Sequence, residues 1–281
     1  MWNLVSDSTC DLRQEEFSSE TIRFETVPLR IRVGERDFLD NDSLNAADLL
    51  SAMAEEKTAS SSACPSPSAF ARAMEKGEPT ICFTISSALS GSFNAARSGR
   101  ELVLEDHPEK KICVIDSKST AGVVLLLVRK AKELMEADPL GEKFEEICAQ
   151  LRMYQASLRT VFTLENFDNL IKNGRMRPLV GTLLHTLGIH VIASGTAQGT
   201  IRVESKARGE DRTHKAIVSF MSQSKDCTDA EVLIHHVQNA SGALRLRDHI
   251  LKELPVKSVE VIPTRGLNSF YAMDKGLIVG Y

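Results

Sequence analysis

The sequence predicts an α/β fold, with a parallel sheet in its first half and an α+β arrangement in its second. Three observations carry this. Short apolar, β-branched runs alternate with stretches of helical spacing as far as residue 157. A glycine-flanked turn at 195–199 joins two further strand-like runs. Of the 281 residues, 42% are hydrophobic and 26% charged, a globular composition with ample apolar surface to offset the entropy of ordering. The length suits two ordinary domains or one large one.

Residues 1–6 read as a short strand. The runs at 80–85 and 111–115 are of buried-strand type, and 92–104 between them has helical spacing. A helix at 121–136 follows a polar start at 117–120, and another at 140–154 is set off by Pro139-Leu140-Gly141. This β-α-β-α order argues for parallel strands covered by helices. The second half begins near Arg159. It reads as a strand at 161–164, a short helix at 167–172 stopped by Asn173-Gly174, and a helix at 178–187 ended by Gly188. Strands at 189–194 and 200–206 form a hairpin across Gly195-Thr196-Ala197-Gln198-Gly199. Helices at 211–224 and 241–254 then alternate with strands at 232–237, 259–263 and 277–281. No internal repeat is apparent.

A formal net charge of -4, with both signs interspersed, gives no broad basic field for nucleic acid. Residues 1–12 lack the apolar centre of a secretory leader, and the longest apolar run, 123–128, is too short to span a bilayer. A soluble, cytoplasmic chain without an integral membrane segment is expected. The cysteines at 10, 64, 82, 113, 148 and 227 form no Cys-x-x-Cys pair and have no metal-ligand spacing with histidine. Neither a metal centre nor a disulfide framework is expected, and Cys82 and Cys113 read as small buried hydrophobes.

Three strands end in hydroxyl-rich turns: Ser6-Asp7-Ser8-Thr9, Ser86-Ser87-Ala88-Leu89-Ser90-Gly91-Ser92 and Asp116-Ser117-Lys118-Ser119-Thr120. Capping explains one or two hydroxyls per turn. Ligands of open α/β sheets gather at such carboxyl ends. In the second turn the first N–H groups of the following helix lack partners and carry the positive end of its dipole. Ser90 and Ser92 add neutral donors, and Gly91 allows close backbone approach. The turn suits a phosphate or a carboxylate, and it is not a P-loop, because no Gly-Lys-Ser/Thr follows. The loop at 58–67, stiffened by Pro65 and Pro67, could present further hydroxyls, although its spacing favours a plain connector with Ser66 capping a helix at 68–76.

Gly-x-Ser-x-Gly is absent, and no histidine announces a base role: His185 reads as a core-edge residue, His235 and His236 as structural ends of a strand. Asp7 and Asp116 read as turn caps or as groups orienting hydroxyls. No catalytic residue can be named.

Taken together the segments resemble the DegV family. Val5-Ser6-Asp7-Ser8-Thr9-Cys10-Asp11-Leu12 is similar to its opening Asp-Ser-x-x-Asp-Leu stretch, and 86–92 to its Ser-Ser-x-Leu-Ser-Gly-Thr/Ser signature. Val114-Ile115-Asp116-Ser117 with Gly122, Leu164 through Gly174-Arg175-Met176, and Gly199 through Ala207-Arg208-Gly209 follow in the family's order. The resemblance implies a Rossmann-like N-terminal domain at 1–157, with carboxylate-binding turns, and a smaller α/β (α+β) domain at 158–281. It also implies one long-chain fatty acid in a tunnel between them. By the same resemblance Ser90 matches a carboxylate-binding serine. The family's Thr-Ser-Gln-Pro-Ser loop falls on Ser62-Ala63-Cys64-Pro65-Ser66, which puts Ser62 at the second head-group hydroxyl. Arg175 matches an arginine near the head group, and Arg208 one associated with docking of a fatty-acid kinase subunit. The chemistry would belong to that partner: the chain itself would be a binding protein, not an enzyme, with the fatty acid as ligand and no cofactor. One departure stands out. Ala272-Met273-Asp274-Lys275-Gly276 occupies the place of the family's His-Thr-Gly-Pro-Gly. It keeps open a binding module for another amphiphile without a kinase partner. A serine-based acyl hydrolase is the remaining alternative.

Overall fold

The computed structural model describes residues 1–13, 17–56, 60–177 and 188–281. The helix expected at 178–187, with His185, and Thr58 at the start of the proline-stiffened loop lie outside the described residues.

The chain opens with β1 (Trp2–Asp7), a 3-10 turn at Ser8–Cys10 and β2 (Ile22–Val27). The hairpin β3 (Arg30–Val33) and β4 (Arg36–Leu39), α1 (Ala46–Glu55), β5 (Ser61–Ala63) and α2 (Pro67–Met74) follow. Next come β6 (Thr80–Thr84), α3 (Ser92–Asp106), β7 (Ile112–Asp116), α4 (Gly122–Glu136) and α5 (Phe144–Ser157). The second half holds β8 (Thr160–Leu164), α6 (Asp168–Lys172), β9 (Ile189–Gly195), β10 (Ile201–Arg208) and α7 (Glu210–Ser224). It closes with β11 (Glu231–His236), α8 (Ala240–Glu253), β12 (Ser258–Pro263), α9 (Gly266–Ala272) and β13 (Leu277–Gly280).

The expected parallel sheet is present, with strand order β2-β1-β6-β7. Every residue of β1 and β6 is buried, as befits strands covered on both faces. One face packs Trp2, Leu4, Phe24 and Phe83 against Val123–Val128 of α4 and Phe144, Ile147 and Leu151 of α5. The other packs Val5 and Cys82 against Phe70, Met74, Ala96 and Val103 of α2 and α3. Trp2 is fully buried, donates from Nε1 to the Asp138 carbonyl (2.6 Å) and stacks on Phe144 with ring centres 6.2 Å apart.

The second sheet is six-stranded and mixed, in the order β10-β9-β8-β13-β11-β12, with β11 and β12 parallel and the other pairs antiparallel. The β9–β10 hairpin forms as expected. Ile217, Met221, Leu246 and Ile250 of α7 and α8 fill one face. The other meets α4, whose apolar run also contacts the parallel sheet, so one helix serves both sheets. The join is tight: a Cβ at Gly280 of β13 would lie 2.7 Å from the backbone carbonyl carbon of Gly122 in α4.

Four features were not expected, the first being β2, which adds a fourth strand to the parallel sheet. Strands β4-β3-β5 form a small antiparallel sheet, α1 connects β4 to β5, and α9 packs against β3 and α1. The loop at 58–67 is therefore more than a connector, because Ser61–Ala63 pairs with Arg30–Arg32, although Ser66 does cap α2 by accepting from Ala69 N–H (3.2 Å). The helix expected at 140–154 starts only at Phe144, because the Asp138 carboxylate holds Glu142 N–H and Lys143 N–H in a turn (3.3 and 2.8 Å). The start of α9 is held by a residue far away in sequence: buried Asp40 accepts from Gly266 N–H (2.9 Å) and Leu267 N–H (3.0 Å). Asp40→Ala leaves two buried donors without a partner. It should cost about 2 kcal/mol in a urea titration. No loss of stability would show that the cap contributes nothing. No helix of the described residues is long and apolar enough to cross a membrane.

Candidate functional site

The carboxyl ends of β1, β6 and β7 lie side by side in the parallel sheet, so their three hydroxyl-rich turns meet. Asp7 at the end of β1 accepts from Ile85 N–H (2.8 Å), tying the first turn to the second. Ser86 N–H donates to the Ser119 carbonyl (2.8 Å), tying the second to the third. Asp116 Oδ1 accepts from Ser87 N–H (3.1 Å) and Lys118 N–H (2.9 Å), while its other oxygen pairs with Lys118 Nζ (2.8 Å). Both aspartates thus act as turn caps that orient their neighbours. Ser86 Oγ also donates to the Gly199 carbonyl (2.8 Å), which anchors the β9–β10 hairpin to these turns.

Beside the turns lies a cavity of about 320 Å³, within the range typical of small-molecule sites. Its apolar lining includes Phe162, Leu164, Leu170, Ile201, Leu267 and Ile278. Ser62, Cys64, Ser90, Gly91, Arg175 and Tyr271 form one polar section of the wall. Four of the residues singled out in the sequence, Ser62, Ser90, Gly91 and Arg175, are therefore brought together.

Each reaches its place for a local reason. Ser62 sits at the centre of β5, opposite Ile31, and its Oγ is 2.7 Å from the Tyr271 hydroxyl. Ser90 Oγ accepts from Ser92 N–H (3.2 Å), which fixes it at the start of α3. Gly91 is the N-terminal flanking residue of α3, and a Cβ there would meet Cys64 Sγ at 3.0 Å. Arg175 follows the end of α6. Its N–H donates to the Leu170 carbonyl (2.8 Å) and Gly174 N–H to that of Ile171 (3.0 Å), the two bonds of a Schellman motif. That motif aims the side chain back across the cavity wall. Arg175 Nε donates to the Leu89 carbonyl (3.0 Å), Nη1 donates to the Asn173 carbonyl, and the guanidinium lies 5.9 Å from the Tyr271 ring centre. It forms no ion pair among the described residues.

The other two expectations fall elsewhere. Ser92 does not line the cavity: it is fully buried beneath the turn, its Oγ 3.1 Å from Ser90 Oγ and on the side of the Asp7 carboxylate. Arg208 is exposed at the last residue of β10, roughly 20 Å along the hairpin from its cavity end at Ile201. Sequence reasoning missed Tyr271, Lys118 and Asn268. Tyr271 carried no readable signal, because its partner Ser62 lies 209 residues away. Ala272, where the resemblance leads one to expect a histidine, is buried on the cavity wall.

A second polar network backs the site. Asn268 accepts from Thr120 Oγ1 (2.7 Å) and donates to Asp11 Oδ2 (2.8 Å), and Asp11 Oδ1 accepts from Arg265 N–H (2.8 Å). Burial pushes Asp11 up to about 8. His235 Nε2 lies 3.6 Å from Asp11, and burial pulls this imidazole down to about 3. Burial thus disfavours the charged form of both members of the pair. Burial also pushes Asp7 up to about 6, against the hydrogen bonds from Thr9, Ile85 and Ser92 that favour its ionised form.

This arrangement offers neutral hydroxyl donors and one cation at a single place, with an apolar lining over much of the remaining wall. It suits one small anion carrying an alkyl chain. No histidine is among the described residues that line the cavity.

A family model described as an uncharacterised protein of the DegV family matches residues 1–272. A DegV domain-containing protein of Streptococcus pyogenes serotype M1 is 37% identical over 280 residues, spanning 100% of this chain and 99% of its own. The solved fatty acid kinase B3 protein of Streptococcus pneumoniae, loaded with linoleic acid, is similar at a TM-score of 0.94 and 35% identity, covering 100% and 99% of the two chains. A DegV family protein of Eubacterium eligens, loaded with heptadecanoic acid, is similar at 0.92 and 30%, also covering 100% and 99%.

Proposed function

Because the chain belongs to the DegV family, we propose that it binds one long-chain fatty acid, with the carboxylate at Ser62, Ser90, Gly91 and Arg175 and the alkyl chain along Phe162, Leu164, Leu170 and Ile278. The observation that carries this reading is the convergence of Ser62, Ser90 and Arg175 from three distant segments onto one cavity wall. Solved relatives loaded with linoleic and heptadecanoic acid support it. Burial of the chain is worth roughly 0.8 kcal/mol per CH₂, so the tail supplies most of the affinity and the head group sets the register. Ser92 supports Ser90 from below. The two units are 1–157 and 158–281, with the ligand between them.

The chain is a cytoplasmic carrier, not an enzyme, and needs no cofactor. It presents the carboxylate to a fatty-acid kinase subunit that docks at Arg208. The fatty acid kinase B3 relative supports this part. One feature favours a second reading, a carrier of another amphiphile without a kinase: Ala272 stands where the resemblance implies a histidine.

Mass spectrometry of ligand extracted from the purified protein should find a long-chain monocarboxylic acid. A different lipid would favour the second reading, and an empty protein with esterase activity would sink both. Bonds to a charged acceptor are worth about 1.5–3 kcal/mol each, partly replaced by water when one is lost. Ser90→Ala should therefore weaken fatty-acid binding by about tenfold or less, and Ser62→Ala with Ser90→Ala by about 100-fold. Parental affinity in the double variant, by thermal-shift titration, would refute the head-group assignment.

A further inference from the structure

The fully buried Asp7 carboxylate lies beneath the turn that carries Ser90. Its Oδ1 accepts from Thr9 N–H (3.3 Å) and the Thr9 hydroxyl (2.6 Å), and its Oδ2 from Ile85 N–H (2.8 Å). The buried Ser92 hydroxyl lies beside it and favours its ionised form. Ser92 Oγ is in turn 3.1 Å from Ser90 Oγ, and Ser90 is on the cavity wall. A line of hydroxyls thus runs from Asp7 through Ser92 and Ser90 to the cavity.

Each hydroxyl has one proton to give, so the line has a direction, and Asp7 sets it. An ionised Asp7 can only accept. Ser92 then gives its proton to Asp7, Ser90 gives its own to Ser92, and Ser90 turns lone pairs toward the cavity. With Asp7 protonated the line reverses: Asp7 donates to Ser92, Ser92 to Ser90, and Ser90 donates into the cavity. Only the second state greets a carboxylate with a donor while keeping every bond in the line.

We propose that Asp7 is a positioning residue that sets the polarity of Ser90, and that seating a carboxylate there draws one proton from solvent onto Asp7. This rests on the reading that the cavity holds a fatty-acid anion. The balance is simple. The ligand enters with one negative charge, one proton moves from water to the Asp7 carboxyl, and no bond to the ligand is made or broken. The buried charge is then unchanged, whereas two carboxylates at one turn would oppose each other.

The groups around Asp7 leave it as the site of that uptake. Burial pushes the thiols of Cys10 on the 3-10 turn (to about 12) and Cys82 on β6 upward, so both are neutral. Asp11, next along the chain, is held at about 8 and keeps its proton at neutral pH. Burial also raises the pKa of Asp40, whose carboxylate is occupied by Gly266 and Leu267 N–H. From α3 only the Ser92 hydroxyl reaches Asp7, and in the third turn Lys118 is paired with Asp116. Arg175 lies on the cavity wall. Burial already holds Asp7 at about 6, so it is largely ionised in the free protein above that pH. A bound anion raises it further. Affinity is therefore full below about pH 6 and falls as pH rises, toward about tenfold per unit where free Asp7 is ionised and bound Asp7 protonated.

The test is titration calorimetry of the full, delipidated chain with hexadecanoate at about pH 7.5, above the ordinary carboxyl range of about 4–5, in phosphate and in Tris. The buffer dependence of the heat counts protons. The expected results are uptake approaching one proton per ligand, an affinity that falls between about pH 6 and pH 8, no uptake in Asp7→Asn and reduced uptake in Ser92→Ala. Hexadecanol, which lacks the carboxylate, should bind without uptake. Hexadecanoate binding with no buffer-dependent heat would overturn this inference alone, as would an Asp7→Asn protein with the parental pH profile. Absence of hexadecanoate binding would overturn the fatty-acid reading and this inference with it. If Asp7→Asn does not fold, the parent and Ser92→Ala decide.

Discussion

Gly280→Val is expected to cost about 3–5 kcal/mol, the largest single loss foreseen for this chain. At Gly280 a Cβ would approach the Gly122 carbonyl carbon and Val123 N to 2.7 Å each, and both are backbone atoms that cannot rotate aside. Gly280 sits on β13, in the middle of the six-stranded sheet, and Gly122 opens the helix that the two large sheets share. Relief requires moving a whole helix, and that helix packs against both sheets. Gly280→Ala should already cost about 2 kcal/mol. Urea midpoints for parent, alanine and valine proteins would test the series. A valine variant as stable as its parent would show that α4 and β13 are not packed backbone to backbone.

The second large effect concerns affinity. Leu170 lines the cavity from α6 and is 6% exposed. Leu170→Trp should fill space that the alkyl chain needs. Excluding about four methylenes at roughly 0.8 kcal/mol each removes about 3 kcal/mol, more than 100-fold in affinity for a long chain. Short acids should lose far less, because their tails stop before the obstruction. α6 is only five residues long and Leu170 lines the cavity, so the fold should tolerate the change. Binding isotherms for a series of chain lengths would check this. A uniform loss across all lengths would mean that Leu170 acts on the head group and not on the tail.

The parts of this fold that were legible in the sequence are those whose signal is local. The strands at Thr80–Thr84 and Ile112–Asp116 are continuous apolar runs because both faces are covered, and Gly195 and Gly199 mark a hairpin whatever surrounds it. The small sheet was not legible. Arg30, Ile31, Arg32 and Val33 alternate exposed and buried over only four residues, too short a run to stand out among polar neighbours. Nor was α9, seven residues long and started by an aspartate 226 positions away. The same contrast divides the site. Ser90 and Gly91 belong to one strand-turn-helix unit and announce themselves. Ser62 and Arg175 were assigned by resemblance, because nothing local shows that they share a wall. Tyr271 joins them only once three segments have folded together.

The place of Trp2 has a practical consequence. It is the only tryptophan in the chain, sealed between the parallel sheet and α5 and held by a carbonyl, and it is absent from the cavity wall. Its emission should be blue and should shift only when the core of the first half opens to water. Intrinsic fluorescence therefore supplies a clean optical reporter of unfolding for the variants above, one that stays silent as the cavity fills.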